Sequence, residues 1–182
     1  MSDLSTRAAT PDDAAAIATI YNQGIAERIA TFETEPRRPE DLLPWFDGVH
    51  PVVVVLAHDD VNPAGRIIAF AATSSYRPRV CYAGIAEYSV YVDRAARGMG
   101  AGRLALEALF AEAEAVGFWK LVSRIFVENT ASRALMRRVG FREVGVYERH
   151  AQLDGVWRDV VIVEKLLAGK SALRGTESEP VQ

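Results

Sequence analysis

An α/β fold with a central mixed sheet, mostly antiparallel, and helices on both faces is what this sequence predicts. Three observations predict it. Strand-like and helix-like stretches follow one another in the order β-α-α-β-β-β-α-β-α-β-β. A strand pattern feeds a basic, glycine-rich loop that opens a helix between Ala86 and Leu106. The length of 182 residues, 49% hydrophobic, holds one sizeable core and is too short for two ordinary domains.

Leu4 to Ala9 reads as the first strand. Thr10-Pro11-Asp12-Asp13 then offers an N-cap, a proline whose φ suits a first helical position, and two acids for the positive end of the helix dipole. Ile17, Ile20 and Tyr21 share one face of that helix, and Gly24 loosens its last turns. Ala30 to Pro36 is a loop, followed by a second short helix near Pro39 to Gly48, kinked or started late by Pro44. Val52 to Ala57 is a continuous apolar run, hence a buried strand, and the turn formers of Asp59 to Gly65 join it to Arg66–Ser75 as a hairpin. Tyr88, Val90 and Val92 alternate with Glu87, Ser89 and Tyr91, the period of a strand with two different surroundings. Leu104, Leu106, Leu109, Phe110, Ala113 and Val116 make the apolar face of the next helix, which ends at Gly117. Leu121 to Val127 returns as a strand, and Asn129 to Val139 is helical until Gly140. Phe141–Arg149 and Val156–Leu166 form a terminal hairpin around Asp154-Gly155. Residues 1–168 read as one domain. Residues 169–182, polar and without a period, read as a disordered tail.

The glycine loop describes an anion site. Gly98, Gly100 and Gly102 allow a tight turn with N–H groups pointing inward, and the helix they open adds its positive end. A dinucleotide fingerprint would need a glycine where Arg103 stands, and a nucleoside-triphosphate loop would need G-K-[ST], which is absent. Arg97-Gly98-Met99-Gly100-Ala101-Gly102 fits R/Q-x-x-G-x-G/A. In this strand-loop-helix context the chain resembles the GCN5-related N-acetyltransferase (GNAT) superfamily over about Leu4 to Leu166.

The resemblance implies the GNAT fold and acetyl-CoA as co-substrate, with its pyrophosphate on the loop from Arg97 to Arg103. It also implies a strand splayed from its neighbour, whose Val90, Tyr91 and Val92 backbone pairs with the pantetheine arm. An extended, amide-bearing arm would satisfy peptide groups that otherwise lack partners; full pairing to the next strand is the alternative. Asn129, Ser132 and Gly140-Phe141 match the second superfamily motif, N-x-x-[AS]…G-[FY], which would have Asn129 and Ser132 contact that arm. A plain helix N-cap is the other reading of Asn129. Finer likeness lies in Thr31–Pro36, Ser75–Tyr82, Glu87–Val92 and Gly155–Val160, which together resemble the phosphinothricin and arsinothricin N-acetyltransferase branch. Members of that branch acetylate the α-amine of glutamate-like amino acids ending in a phosphinate, arsinate or sulfone. A homodimer is also implied.

An amine attacks a thioester only when unprotonated, so a proton acceptor is needed. Glu87, a carboxylate in an otherwise apolar strand, is the candidate general base, its basicity raised by burial; a salt-bridged or solvent-facing residue is the alternative. A doubly anionic amino acid needs positive charge at fixed distance. Arg77 and Arg79, two apart, can point to one side and hold its tail or carboxylate, unless they are simply surface arginines. Phe32 and Tyr82 are candidates for shaping the pocket. The superfamily often protonates the departing thiolate with a tyrosine on the Asn129 helix, but this chain has Met136 there. Tyr147, water or direct thiolate release remain as options.

Net charge is −3, so no global basic field recruits nucleic acid, although Arg94, Arg97, Arg103, Arg133, Arg137 and Arg138 concentrate around the loop. Cys81 is the only cysteine, and His50, His58 and His150 are scattered, which leaves no disulfide framework and no metal cluster to expect. Cys81 has no histidine nearby in sequence, so direct transfer is expected rather than an acetyl-enzyme. No apolar run is long enough to span a membrane, and MSDLSTRAATPDD lacks the features of a signal peptide, so a cytoplasmic protein is expected. Two other functions fit the pattern. One is acetylation of a protein or peptide amine; the other is a non-catalytic acyl-CoA-binding domain, which Met136 makes reasonable.

Overall fold

The computed structural model describes residues 3–168; the expected tail, 169–182, lies outside the described residues. Its centre is a seven-stranded sheet of β1 (Asp3–Ala8), β2 (Val52–His58), β3 (Arg66–Ser75), β4 (Ile85–Val92), β5 (Lys120–Phe126), β6 (Arg142–Leu153) and β7 (Val156–Leu166). The spatial order is β1-β2-β3-β4-β5-β7-β6. Every neighbouring pair is antiparallel except β4 and β5, which are parallel. A parallel pair requires a crossover, and α3 (Ala101–Ala115) supplies it.

Strand alternation divides the core in two. Val52, Val54, Leu56 and Phe70 pack with Ile17, Ile20 and Ile25 of α1 (Ala14–Glu27). Val53, Val55, Ile68 and Ala69 pack on the other side with Ala105, Leu106 and Leu109 of α3. A strand covered on both faces must be apolar at consecutive positions, which is why Val52–Ala57 shows no alternation.

Local chemistry sets the element ends. The chain enters α1 through a 3-10 turn at Pro11–Asp13, and Asp13 reaches back to accept the Thr10 N–H at 2.8 Å. The same carboxylate accepts both terminal nitrogens of Arg7, at 2.7 and 2.8 Å, tying β1 to the helix start. At the end of α4 (Thr130–Arg138), Gly140 takes φ +87° and Phe141 N–H donates to the Met136 carbonyl at 2.9 Å, a left-handed cap that few residues other than glycine adopt. Asp154 and Gly155 both have positive φ, the two-residue hairpin turn expected there.

Two boundaries and the role of one glycine differ from the sequence reading. The second helix, α2, covers only Pro39–Leu42 and tightens into a 3-10 turn at Leu43–Trp45, because Pro44 has no N–H to continue an α-helix. β6 runs past Arg149 to Leu153 by means of an irregularity between Tyr147 and Ala151, where Arg149 takes φ +46°. Gly24 does not loosen α1; a Cβ there would meet the Tyr91 ring at 2.6 Å, so the glycine permits helix and strand to touch.

Arg7 and the Thr10 N–H hold the Asp13 carboxyl below the usual aspartate range, against the opposing effect of burial. A depressed carboxylate stabilises the fold above its unfolded value and loses that contribution as pH falls through its folded value. Asp13→Asn is therefore expected to lower unfolding free energy by about 1–2 kcal/mol at pH 7. The gap between variant and parent should close below about pH 4, as denaturant titrations across pH would measure.

Candidate active site

β4 and β5 pair over three rungs only: Ile85 with Lys120, Ala86 with Leu121 and Glu87 with Val122. Beyond that point β4 stays with β3 as far as Val92, and β5 stays with β7 as far as Phe126. The two strands part into a wedge, and a cavity of about 910 Å³ opens between them. Tyr88–Val92 and Ser123–Phe126 form its two walls. From Tyr88 onward the β4 edge facing β5 has no strand partner, so its peptide groups are open to an extended ligand.

The loop closes one end. Gly98 and Gly100 have φ +81° and +87°, and a Cβ at either would meet nothing within 4 Å, so the dihedral rather than crowding requires glycine. Gly102 is different. It lies in the first turn of α3, where a Cβ would stand 3.1 Å from Leu135 and 3.3 Å from Val92, so it allows α3, β4 and α4 to converge. The first capping bond of α3 is Leu104 N–H to the Gly100 carbonyl at 3.1 Å, leaving the N–H groups of Ala101, Gly102 and Arg103 available to an anion. Met99 is 45% exposed and stands outside the wall, whereas Arg97, Gly98, Gly100, Ala101, Gly102 and Arg103 line it.

About half of the expected positive charge is neutralised within the protein, because its arginines share three carboxylates. Arg97 and Arg94 bind the two oxygens of Glu27 at 2.7 and 2.9 Å, and they hold that carboxyl below the usual glutamate range. Arg103 pairs with Glu107, while Arg133 and Arg137 share Glu143. Arg138 lines the cavity and forms no ion pair among the described residues. The candidate anion site thus combines backbone donors with the uncancelled part of this charge.

Asn129 and Ser132 line the cavity at the start of α4. The Asn129 carbonyl oxygen accepts the Ser132 N–H at 3.1 Å, and its amide nitrogen donates to the Ile29 carbonyl at 3.1 Å. Both ends of the side chain are engaged in the fold, so the N-cap alternative describes its geometry.

Glu87 departs from expectation. It is not enclosed by apolar groups: its side chain is 28% exposed and ion-paired with Arg124 of β5. Arg124 lines the cavity, and Glu87 itself is not part of the wall. Arg77 and Arg79 are exposed and lie outside the cavity, with Arg77 5.2 Å above the Tyr76 ring. The structure does not bring them to the wedge. Tyr82 packs edge-on against Tyr76 at 5.7 Å, also away from the cavity. Phe32 stands one layer behind the wall, edge-on to the lining residue Phe126 at 4.7 Å. Val90, Tyr91 and Val92 are where the splayed strand was expected. Burial pushes the Tyr21 hydroxyl up to about 12 and that of its neighbour Tyr91 higher, so neither is a base at neutral pH. Sequence reasoning missed Arg124, Glu27 and the Tyr88 hydroxyl. Arg124 did carry a signal, a charge inside an apolar strand, the same one that singled out Glu87.

An open β edge, a glycine cradle and a helix start with free N–H groups are what an acyl-pantetheine pyrophosphate requires. Residues 19–141 match the acetyltransferase (GNAT) family, and the chain belongs to it. It is 31% identical over 175 residues to phosphinothricin N-acetyltransferase of Streptomyces coelicolor, covering 91% of this chain and 97% of that one. It is equally 31% identical over 164 residues to L-methionine sulfoximine/L-methionine sulfone acetyltransferase of Pseudomonas paraeruginosa, covering 88% and 92%. The crystal structure of a GNAT superfamily phosphinothricin acetyltransferase from Sinorhizobium meliloti, in complex with AcCoA, superposes with a TM-score of 0.81 at 28% identity, covering 98% and 94%. This chain is an acetyl-CoA-dependent N-acetyltransferase.

Gly100→Ala imposes a left-handed φ on a residue with a Cβ, at about 1–2 kcal/mol. The free loop is expected to relax rather than hold that strain, so calorimetry should show acetyl-CoA binding weakened about tenfold, with the melting temperature lowered by no more than a few degrees. Unchanged affinity would mean that the loop backbone does not hold the phosphates.

Proposed function

We propose that the chain transfers acetyl from acetyl-CoA to the α-amine of a small glutamate-like amino acid analogue of the phosphinothricin, arsinothricin or methionine sulfone type, by direct attack in a ternary complex. The observation that carries this reading is the wedge between β4 and β5 with the Glu87–Arg124 pair at its apex. It offers a carboxylate for the amine proton and a cation for an acidic acceptor at one place. The names of the two curated relatives support the substrate class.

In this reading the β4 edge at Val90, Tyr91 and Val92 pairs with the pantetheine arm, and the N–H groups from Ala101 to Arg103 hold the pyrophosphate beside Arg138. The α4 start at Asn129 and Ser132 borders the arm. Glu87 accepts the amine proton, directly or through water. Arg124 takes the acceptor's carboxylate or acidic tail in place of Arg77 and Arg79, because it lines the cavity and they do not. The chain works as one domain in the cytoplasm. A homodimer completes the proposal, supported by β6, an edge strand that leaves Val144, Val146 and Tyr147 about half exposed. Among the described residues no helix is long and apolar enough to cross a membrane, and no group of three acidic, histidine or cysteine side chains could hold a metal ion.

Release of the coenzyme A thiol is the test, with phosphinothricin, methionine sulfone and glutamate compared at equal concentration. Turnover on phosphinothricin well above glutamate is expected. Turnover confined to peptide amines would replace this substrate class with a protein one, and acetyl-CoA binding without turnover on any amine would make the domain non-catalytic. Glu87→Gln is expected to lower kcat by about 10²-fold or more at neutral pH, and near-parental turnover at every pH would remove Glu87 from the role of base. Light scattering should give twice the chain mass; the mass of one chain would exclude the dimer.

A further inference from the structure

We propose that the Tyr88 hydroxyl donates the proton to the departing sulfur of coenzyme A; the proposal rests on the placement of acetyl-CoA in the wedge. Consecutive strand residues point to opposite faces of a sheet. Glu87 occupies the last rung shared with β5, and Tyr88 is the first residue beyond it. The Tyr88 ring belongs to the core between the sheet and α3, on the face opposite the one that Tyr91 shares with α1. These neighbours diverge where the sheet opens, so that one can serve the attacking nitrogen and the other the departing sulfur.

Tyr88 is 5% exposed, with its ring 4.8 Å from Phe141, the residue that the Gly140 cap fixes in place. Its hydroxyl points to the Met136 sulfur at 2.7 Å, and both residues line the cavity. A thioether is a weak acceptor, and the hydroxyl has no oxygen or nitrogen partner among the described residues. Buried tyrosine hydroxyls normally find a stronger acceptor. This donor is thus held in a cavity wall with its one proton on a weak acceptor, from which a thiolate would draw it, beside the helix position that carries no acid of its own. Burial raises its pKa, so it is protonated throughout the neutral range, and the same desolvation raises the proton affinity of a thiolate leaving beside it. Tyr147, the other tyrosine considered, is 54% exposed on β6 and is not part of the wall.

The step balances as a proton moved from nitrogen to sulfur. The amine nitrogen bonds to the carbonyl carbon and gives its proton to Glu87. The carbon–sulfur bond breaks with its electron pair on sulfur, and the Tyr88 proton goes to that sulfur to leave a thiol. Water returns a proton to the phenolate and takes one from Glu87.

The first experiment is calorimetry of coenzyme A and of desulfo-coenzyme A, in which hydrogen replaces the thiol, with the parent chain and Tyr88→Phe. That variant keeps the ring against Phe141 and removes only the hydroxyl. The parent is expected to bind coenzyme A at least about threefold more tightly than the desulfo form. Tyr88→Phe should lose that preference while its affinity for the desulfo form is unchanged. In turnover, kcat should fall about 10- to 100-fold with KM for acetyl-CoA within about twofold. A parent with no sulfur preference, a preference that survives in Tyr88→Phe, an equal loss of affinity for both ligands or an unchanged kcat would each overturn the assignment. A parent that binds neither ligand would instead overturn the placement of acetyl-CoA, and the assignment with it.

Discussion

The three-rung contact between β4 and β5 is the constraint on which the rest of the molecule depends. Each strand remains fully paired on its outer side, β4 with β3 and β5 with β7, so parting leaves only the two inner edges without partners. An unpaired buried peptide group costs about 1–3 kcal/mol, and a fold can sustain several of them only where water or a ligand reaches them. The wedge is therefore an opening in the sheet held by well-paired strands on either side. Its rigidity comes from what it does not interrupt.

The helices keep that opening in shape by close approach. Gly24 lets α1 rest on the Tyr91 ring, and Gly102 lets α3 meet Val92 and Leu135 of its two neighbours. Glu27, at the end of α1, grips Arg94, which opens the turn at Arg94–Ala96, and Arg97, which follows it, so the glycine loop is anchored to a helix more than sixty residues earlier in the chain. Asn129 performs the same service on the other side, joining the start of α4 to the Ile29 carbonyl. Four elements distant in sequence are thereby fixed around one cavity.

Much of this was legible because it is local. The two-sided burial of β2 showed as an unbroken apolar run, the caps of α1 and α4 as Thr10 through Asp13 and Gly140, and the tight loop before α3 as spaced glycines between a strand and a helix. What escaped depends on partners that spacing does not reveal. Glu87 reads as a buried carboxylate until Arg124, 37 residues later, is seen across the splayed strands. Arg77 and Arg79 have the right spacing to clasp an anion, but no local pattern says that they stand outside the lining of the cavity. Gly24 resembled a weak point in a helix because the ring it accommodates arrives 67 residues later. The arginines around the loop looked like a basic field because their carboxylates come from α1, α3 and β6.

Those internal ion pairs bear on which anions the loop can favour. An uncompensated cluster of six guanidiniums would attract any polyphosphate, and nucleotides carrying three phosphates would compete by charge alone. Five of the six share only three carboxylates, Glu27, Glu107 and Glu143, so about half of that charge is cancelled and the reward for density of phosphate is reduced accordingly. Beside the residual charge stands a short row of N–H donors of fixed spacing continuous with an open strand edge, which rewards a diphosphate carrying an extended amide chain. Discrimination then draws on length and shape as well as on charge, and it changes less with ionic strength than an uncompensated basic patch would allow.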